Sequence, residues 1–279
     1  MEKELLLKLG ALFIVTQLLG IGVAANLIGL IETGELEQSG IVTDNPNDVE
    51  NAVGLFVYIL VFTAMFLLFL HFFKGVGLFK VLESIVVFST SWITFGVFFP
   101  TIAFMLAALL VALRILFPKN VMLRNVSSVI AVAAVGPLIG ISLGAIPIIL
   151  FIIILSAYDF IAVFKTKHMV TLAKGITNKN LSFTFAIPSK KLEHQFELGT
   201  GDMAIPLAFA VSAMNSSALA GIVFPNYLIP GAMILVASLA GLLWTIDYSS
   251  KNVGKALPAL PPQTVLMLVV WVIAKAIGF

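Results

Sequence analysis

The stretch SIVVFSTSWITFGVFFPTIAFMLAALLVAL, residues 84–113, decides how this chain is organised. Its 30 uncharged residues exceed one membrane helix of about 20 residues and barely suffice for two. Pro100 stands in the middle, where it removes an amide donor and disfavours helix at the preceding residue. Two short helices turning at Phe99-Pro100-Thr101 give the chain nine spans. Fifteen of its sixteen lysines and arginines then fall on one side, with only Lys275 opposite. A single span would divide the basic clusters between both faces, against the tendency of basic residues to stay in the cytoplasm. The loop 32–50, with six acidic residues and no basic one, lies on the other face. The expectation is an all-α polytopic membrane protein with nine transmembrane helices and a cytoplasmic N-terminus.

The remaining uncharged runs fit that count. Residues 9–31, 51–73 and 256–274 each supply one helix, while 125–164 and 203–246 each supply a pair. The turns are expected near Gly144-Ala145-Ile146-Pro147 and around Gly221 and Pro225-Asn226. Run 9–31 has 23 uncharged positions, longer than a secretory signal core of about 7–15, and reads as a retained helix. Over 279 residues, 60% are hydrophobic, 11% are charged and the mean hydropathy is +1.11, so the chain's solvent is lipid. A net charge of +2 argues against nucleic acid as a partner, and the absence of cysteine excludes disulfides, thiol nucleophiles and thiolate metal sites. The whole reads as one membrane domain, 1–279. Helices one to six cover about 5–164, a cytoplasmic loop covers 165–198, and helices seven to nine cover about 199–277.

Two aspartates sit inside this apolar sequence, in Tyr158-Asp159 and Gly199-Thr200-Gly201-Asp202. A carboxylate at mid-helix in a bilayer costs roughly 2.5–3.5 kcal/mol on insertion scales, so each needs a reason to be there. Asp159 lies six residues before Lys165, where helix six leaves the membrane, and Asp202 lies five residues after Glu197, where helix seven enters it. At about 1.5 Å per residue the two depths are roughly 9 Å and 7 Å from the inner boundary. The carboxyls can therefore meet at one level. Such a pair cannot ionise twice cheaply; it shares a proton, so that one member acts as base toward water and the other donates to a carbonyl. Intramembrane acids also mark proton relays, so the pair alone leaves hydrolysis and secondary transport or ion conduction both open. A third feature stands at the start of helix nine: Leu257-Pro258-Ala259-Leu260-Pro261-Pro262, where three prolines deny donors and hold the chain extended.

Tyr158-Asp159, Leu198-Gly199-Thr200-Gly201-Asp202 and Pro258-Ala259-Leu260 resemble the three signatures of the presenilin and signal peptide peptidase family of intramembrane aspartyl proteases, in order and in placement at helices six, seven and nine. Leu257-Pro258-Ala259-Leu260-Pro261 and Ala157-Tyr158-Asp159-Phe160-Ile161-Ala162-Val163 look more like presenilin, as does the cytoplasmic N-terminus. Thr200 departs from the leucine common in the family, a difference that bears on substrate preference. The resemblance implies a presenilin-like fold with Asp159 and Asp202 as catalytic dyad. It implies that Tyr158, Gly199, Thr200 and Gly201 shape the site, and that Pro258, Ala259 and Leu260 hold substrate. The implied activity is hydrolysis of peptide bonds in transmembrane-helix substrates, in a compact microbial homologue of the plasma membrane. No metal or organic cofactor is implied. The partners are membrane-protein substrates and lipid, with a homo-oligomer left open.

Other chemistries fit less well. His71, His168 and His194 lie at span edges or in the basic loop, too shallow for an intramembrane zinc site. Ser216 and Ser217 have no histidine at their depth and read as interhelical hydrogen-bonders. Trp92, Trp244, Tyr248 and Trp271 read as interfacial anchors. Residues 181–187, LSFTFAI, alternate large apolar with small residues and predict a strand whose edge would accept an unwound substrate. The topology is tested with single cysteines at Ser39 and Ser189. Membrane-impermeant thiol reagents should reach them from opposite faces, and labelling of both from one face would refute the nine-span reading.

Overall fold

A computed structural model describes residues 2–36, 45–72, 75, 77–166, 181–187, 196–251 and 258–279. Ser39, His168, Ser189, His194, Leu257 and most of the basic stretch 165–191 lie outside these residues, as does the side chain of His71.

Among the described residues there are nine α-helices: α1 (Glu2–Glu32), α2 (Glu50–Phe72), α3 (Gly77–Phe98), α4 (Ala103–Leu116), α5 (Val121–Ser142), α6 (Ala145–Ile161), α7 (Gly201–Leu219), α8 (Leu228–Lys251) and α9 (Leu260–Ala276). The stretch 84–113 is indeed divided, with Pro100 in the turn between α3 and α4. Six helices are long and apolar enough to cross a membrane. By contrast α4, with 14 residues, spans only about 21 Å of a roughly 30 Å hydrocarbon core. The last helix begins at Leu260 rather than 256; Ala259 ahead of it forms a bend with φ −86° and ψ −29°, so the chain is not extended there as the prolines predict.

The fold is organised around α7. It packs on α1, α5, α6, α8 and α9, and 15 of its 19 residues are buried. Leu207, Val211 and Met214 face a core shared with α1, α5 and α8, while Ile205, Phe209 and Ala213 face a second core shared with α2, α6 and α9. Protein, not lipid, is the solvent of this helix, which is how it tolerates Ser212, Asn215, Ser216 and Ser217. Close approach of α5 needs small residues: a Cβ at Gly140 would collide with the Ala208 carbonyl, and one at Gly136 with Leu207. The Gln17 side chain on α1 donates to the Met203 carbonyl at 3.1 Å, and Ser212 Oγ donates to the Leu143 carbonyl at 2.7 Å.

Between α6 and α7 lies a small antiparallel sheet of β1 (Thr184–Ile187) and β2 (Phe196–Gly199), paired Thr184 with Gly199, Phe185 with Leu198, Ala186 with Glu197 and Ile187 with Phe196. The strand read from alternation is therefore present over its last four residues, while Ser182 and Phe183 form a turn before it. Phe185, Ile187 and Leu198 point into the core beside α1 and α7. A buried ion cluster anchors the entry to β1. Glu83 Oε1 accepts from Arg114 Nη2 at 2.8 Å and from the Ser182 backbone N–H and hydroxyl at 2.8 and 2.6 Å, while Lys80 binds its other oxygen. Arg114 is 3% exposed, and its Nη1 donates to the Pro118 carbonyl at 3.0 Å. Removing one member of a buried pair strands the other, so Arg114→Met should cost about 3–5 kcal/mol. A lowered unfolding midpoint in detergent micelles, with little change for lipid-facing Trp92→Leu, is the expected measurement.

Candidate active site

Asp159 sits near the C-terminal end of α6 and is 8% exposed. Directly after it the helix widens into a π-helical turn, Ala162–Thr166, a distortion frequent at functional positions. Asp202 is the second residue of α7 and is partly buried. The two carboxylates come close enough for Asp159 to act electrostatically on Asp202. Helices six and seven thus bring together two acids that are 43 positions apart in the chain (202 minus 159).

Each acid is held by a backbone amide from a different motif. The Leu260 N–H donates to Asp159 Oδ2 at 3.3 Å, and the Gly199 N–H donates to the Asp202 carboxylate. Leu260 is the first residue of α9, so its amide has no partner inside the helix and is available to an acceptor. The bare face of Gly199 also lies against this site, where an added Cβ would stand 3.5 Å from Asp202 Oδ2. Pro206, four residues on, has no N–H to return to the Asp202 carbonyl, which loosens the helix at its first turn. One amide per carboxylate orients the pair and leaves oxygens over for a water and a shared proton.

The other sequence-predicted residues fall as follows. Tyr158 sets its ring edge-on against Phe56 of α2 at 5.6 Å and stays within electrostatic range of Asp159. Thr200 precedes α7, and its amide and hydroxyl both donate to the Phe183 carbonyl, at 3.3 and 3.2 Å. It ties the start of α7 to the turn ahead of β1. Gly201 is exposed, with nothing crowding it. Pro258 and Ala259 are buried next to Leu260. Pro258 also lines an apolar cavity of about 210 Å³ with the outward-facing Phe160, Trp244 and Tyr248 and with Pro261; neither acid lines it. A larger cavity, about 610 Å³, lies beside Asp48 and Glu50 at the opposite end of the helices, far from this chemistry.

Three readings need correction. Ser217 makes no interhelical bond among the described residues, its buried hydroxyl finding no partner; Ser212 does that work. Trp92, Trp244 and Tyr248 face outward as anchors should, but Trp271 packs inward, 6.5 Å from Phe209. The outer edge of β1 is covered rather than open. Asn125 on α5 accepts from the Ala186 N–H at 2.9 Å and donates to its carbonyl at 2.8 Å, and Ser128 Oγ reaches the Ser182 and Thr184 carbonyls. Because Ala186 turns its backbone away from β2, the alternation of an antiparallel pair turns the backbone of its partner Glu197, and of Gly199, away from β1. Among the described residues the unpaired edge therefore belongs to β2 and leads to Asp202.

Sequence reasoning also missed Arg124 and Glu197. They form a 2.6 Å ion pair between α5 and β2, with Arg124 only 3% exposed. The signal was present, since both are charges at the rim of apolar runs, but nothing in their separation of 73 positions points to a contact.

A family model described as signal-peptide peptidase, presenilin aspartyl protease matches residues 10–277. Two solved structures described as a presenilin family intramembrane aspartate protease, in C222 and P2 crystal forms, share the fold. The TM-scores are 0.70 and 0.66, both at 22% identity and covering 98% of this chain and 99% and 98% of theirs. No curated protein matches the chain.

The amide on Asp159 yields a direct test. Proline is tolerated at the first position of a helix, so Leu260→Pro removes the donor without breaking α9. Leu260→Ala keeps it. A hydrogen bond to a charged group is worth about 1.5–3 kcal/mol, so the proline variant should turn over peptide substrate at least about tenfold more slowly than the alanine variant. Equal rates would show that the amide does not orient the acid.

Proposed function

This chain belongs to the signal-peptide peptidase and presenilin family of aspartyl proteases and is an intramembrane aspartyl protease; from that premise we propose that Asp159 and Asp202 are its catalytic dyad. The observation that supports the assignment is the approach of two carboxylates from α6 and α7 to within electrostatic range of each other, each steadied by one backbone N–H. Of all the acidic residues, these two stand where the family's two motifs place them, and they act on each other electrostatically. The transport alternative finds no support in either the family or the fold match.

In the proposed reaction the ionised member of the pair takes a proton from a water lying between the carboxyls. The protonated member donates to the carbonyl oxygen of the scissile bond as the water oxygen attacks its carbon. The tetrahedral intermediate collapses when the protonated carboxyl gives its proton to the leaving nitrogen while the other carboxylate takes one from a hydroxyl of the diol, which breaks the C–N bond, forms the new carboxyl product and regenerates the shared-proton state. Gly199 and Leu260 act through their amides by fixing the two acids. Pro258 and Ala259, which offer few donors, line the substrate path, and Thr200 holds the first turn of α7 against Phe183.

The substrate we infer is a transmembrane helix that must unwind, because a helix hides its peptide bonds. Among the described residues the outward-facing backbone of Glu197 and the Gly199 carbonyl on the β2 edge are unpaired, while the Gly199 N–H serves Asp202, so this edge is suited to receive the unwound segment as a third strand. It replaces the β1 edge as the docking strand, since α5 covers β1. We further place the N-terminus in the cytoplasm, in the plasma membrane of a microbial cell, with the sheet on the cytoplasmic side. This placement rests on the one-sided distribution of basic residues.

Asp159→Asn and Asp202→Asn should each reduce cleavage of a transmembrane peptide by at least about a hundredfold while the unfolding midpoint stays near the parent's. Turnover retained by either variant would remove that residue from the dyad. Substrates N-methylated at single backbone amides around the cut should be resisted at alternate positions only, the signature of strand pairing. A smooth dependence on position would argue against strand addition.

A further inference from the structure

The sheet that leads into the site rests its apolar face on the core beside α1 and α7, and α5 adds a set of polar contacts to both of its strands. Arg124 Nη2 binds Glu197 Oε1 at 2.6 Å, and Glu197 Oε2 accepts from Thr184 Oγ1 at 2.6 Å. One carboxylate thus joins β2, β1 and α5. Asn125, the next residue of α5, meets both backbone groups of Ala186 as a neighbouring strand would, and Ser128 lies one turn further on. Nothing about stability demands this. An apolar contact of similar volume would hold the sheet as well as a buried ion pair, and often better.

What an apolar contact cannot do is fix the register. Phe185, Ile187 and Leu198 face the core, and a slip by two residues keeps the apolar face buried because side chains alternate with a period of two. Such a slip would carry Glu197 away from Arg124 and Ala186 away from Asn125. The same helix is locked to α7 further along, where Gly140 lies against the Ala208 carbonyl and Gly136 against Leu207. So α5 touches β2 near its start and the helix of Asp202 toward its other end, and it measures one against the other.

We propose that Arg124 and Glu197, supported by Asn125, are positioning residues that set where along the substrate the cut falls. Resting on the strand-addition reading above, the inference is that a substrate strand paired to the β2 edge inherits the register of β2. Gly199, two residues past Glu197, sets that edge against Asp202. If β2 is released from Arg124, both the sheet and the substrate on it can sit two residues out of place, and the scissile bond moves accordingly.

The test is mass spectrometry of the products made by the purified full chain in detergent micelles from a single transmembrane peptide. Arg124→Met and the nearly isosteric Glu197→Gln should raise the ratio of products cut two residues from the main site to those cut at it by about tenfold, the scale of a lost charged hydrogen bond. The reciprocal exchange, Arg124→Glu with Glu197→Arg, should restore the parental ratio. Asn125→Leu, which leaves the ion pair in place, should shift the ratio the same way. A merely structural role lowers the total rate without moving the ratio, and a lower rate at an unchanged ratio in Glu197→Gln and Asn125→Leu would overturn the proposal even if Arg124→Met fails to fold. The N-methylated substrates separate the two ideas. If they are cut without alternation, strand addition itself fails. If they alternate while the ratio stays fixed in these variants, only the register clamp fails.

Discussion

The enclosure of α7 is the constraint on which the rest of this structure depends. A helix that begins with glycine and aspartate and continues through Ser212, Asn215, Ser216 and Ser217 is a poor membrane span when lipid surrounds it. Surrounded by five other helices, it becomes the axis of the molecule. Small residues on the neighbours make that possible, since Gly136 and Gly140 let α5 approach until any Cβ would clash. The lipid-facing helices are correspondingly simple, and α2 is almost wholly apolar and exposed along its length.

An enclosed acid still needs donors, and this protein draws them from places where helices start. Leu260 opens α9 and Gly199 comes two residues before α7, so both have amide hydrogens that no helix turn consumes. The proline-rich approach to α9 keeps Pro258 and Ala259 out of the helix and leaves the Leu260 amide for Asp159. The motifs that mark the family are thus local solutions to one problem, which is to hold two carboxylates near each other in a largely apolar surrounding. Charge at the end of the helices where the sheet lies solves a second problem. The Glu83–Arg114 cluster pins the entry to β1, and the Arg124–Glu197 pair pins β2.

By itself the sequence determined the class, the helix count and the pair of acids. Composition requires lipid as solvent, and Pro100 with the one-sided basic residues divides 84–113 into two helices, because both signals are local or additive along the chain. Matched depths made a meeting of Asp159 and Asp202 foreseeable, since distance along a membrane helix converts directly to height. Alternation in 181–187 marked a strand but not which of its edges would be free, because that depends on what packs beside it.

Only the tertiary structure decided the partners. That Asn125 covers Ala186, that Trp271 turns inward to Phe209 while Trp92 faces out, and that Arg124 meets Glu197 are facts about side chains from distant segments. Hydropathy is blind to them, since it records how much a residue dislikes water and not which neighbour replaces that water. A charge at the rim of a span reads the same whether it faces solvent or closes a buried pair. The difference lies in the packing of α5 against α7 and the sheet, a contact between parts of the chain that no local pattern relates.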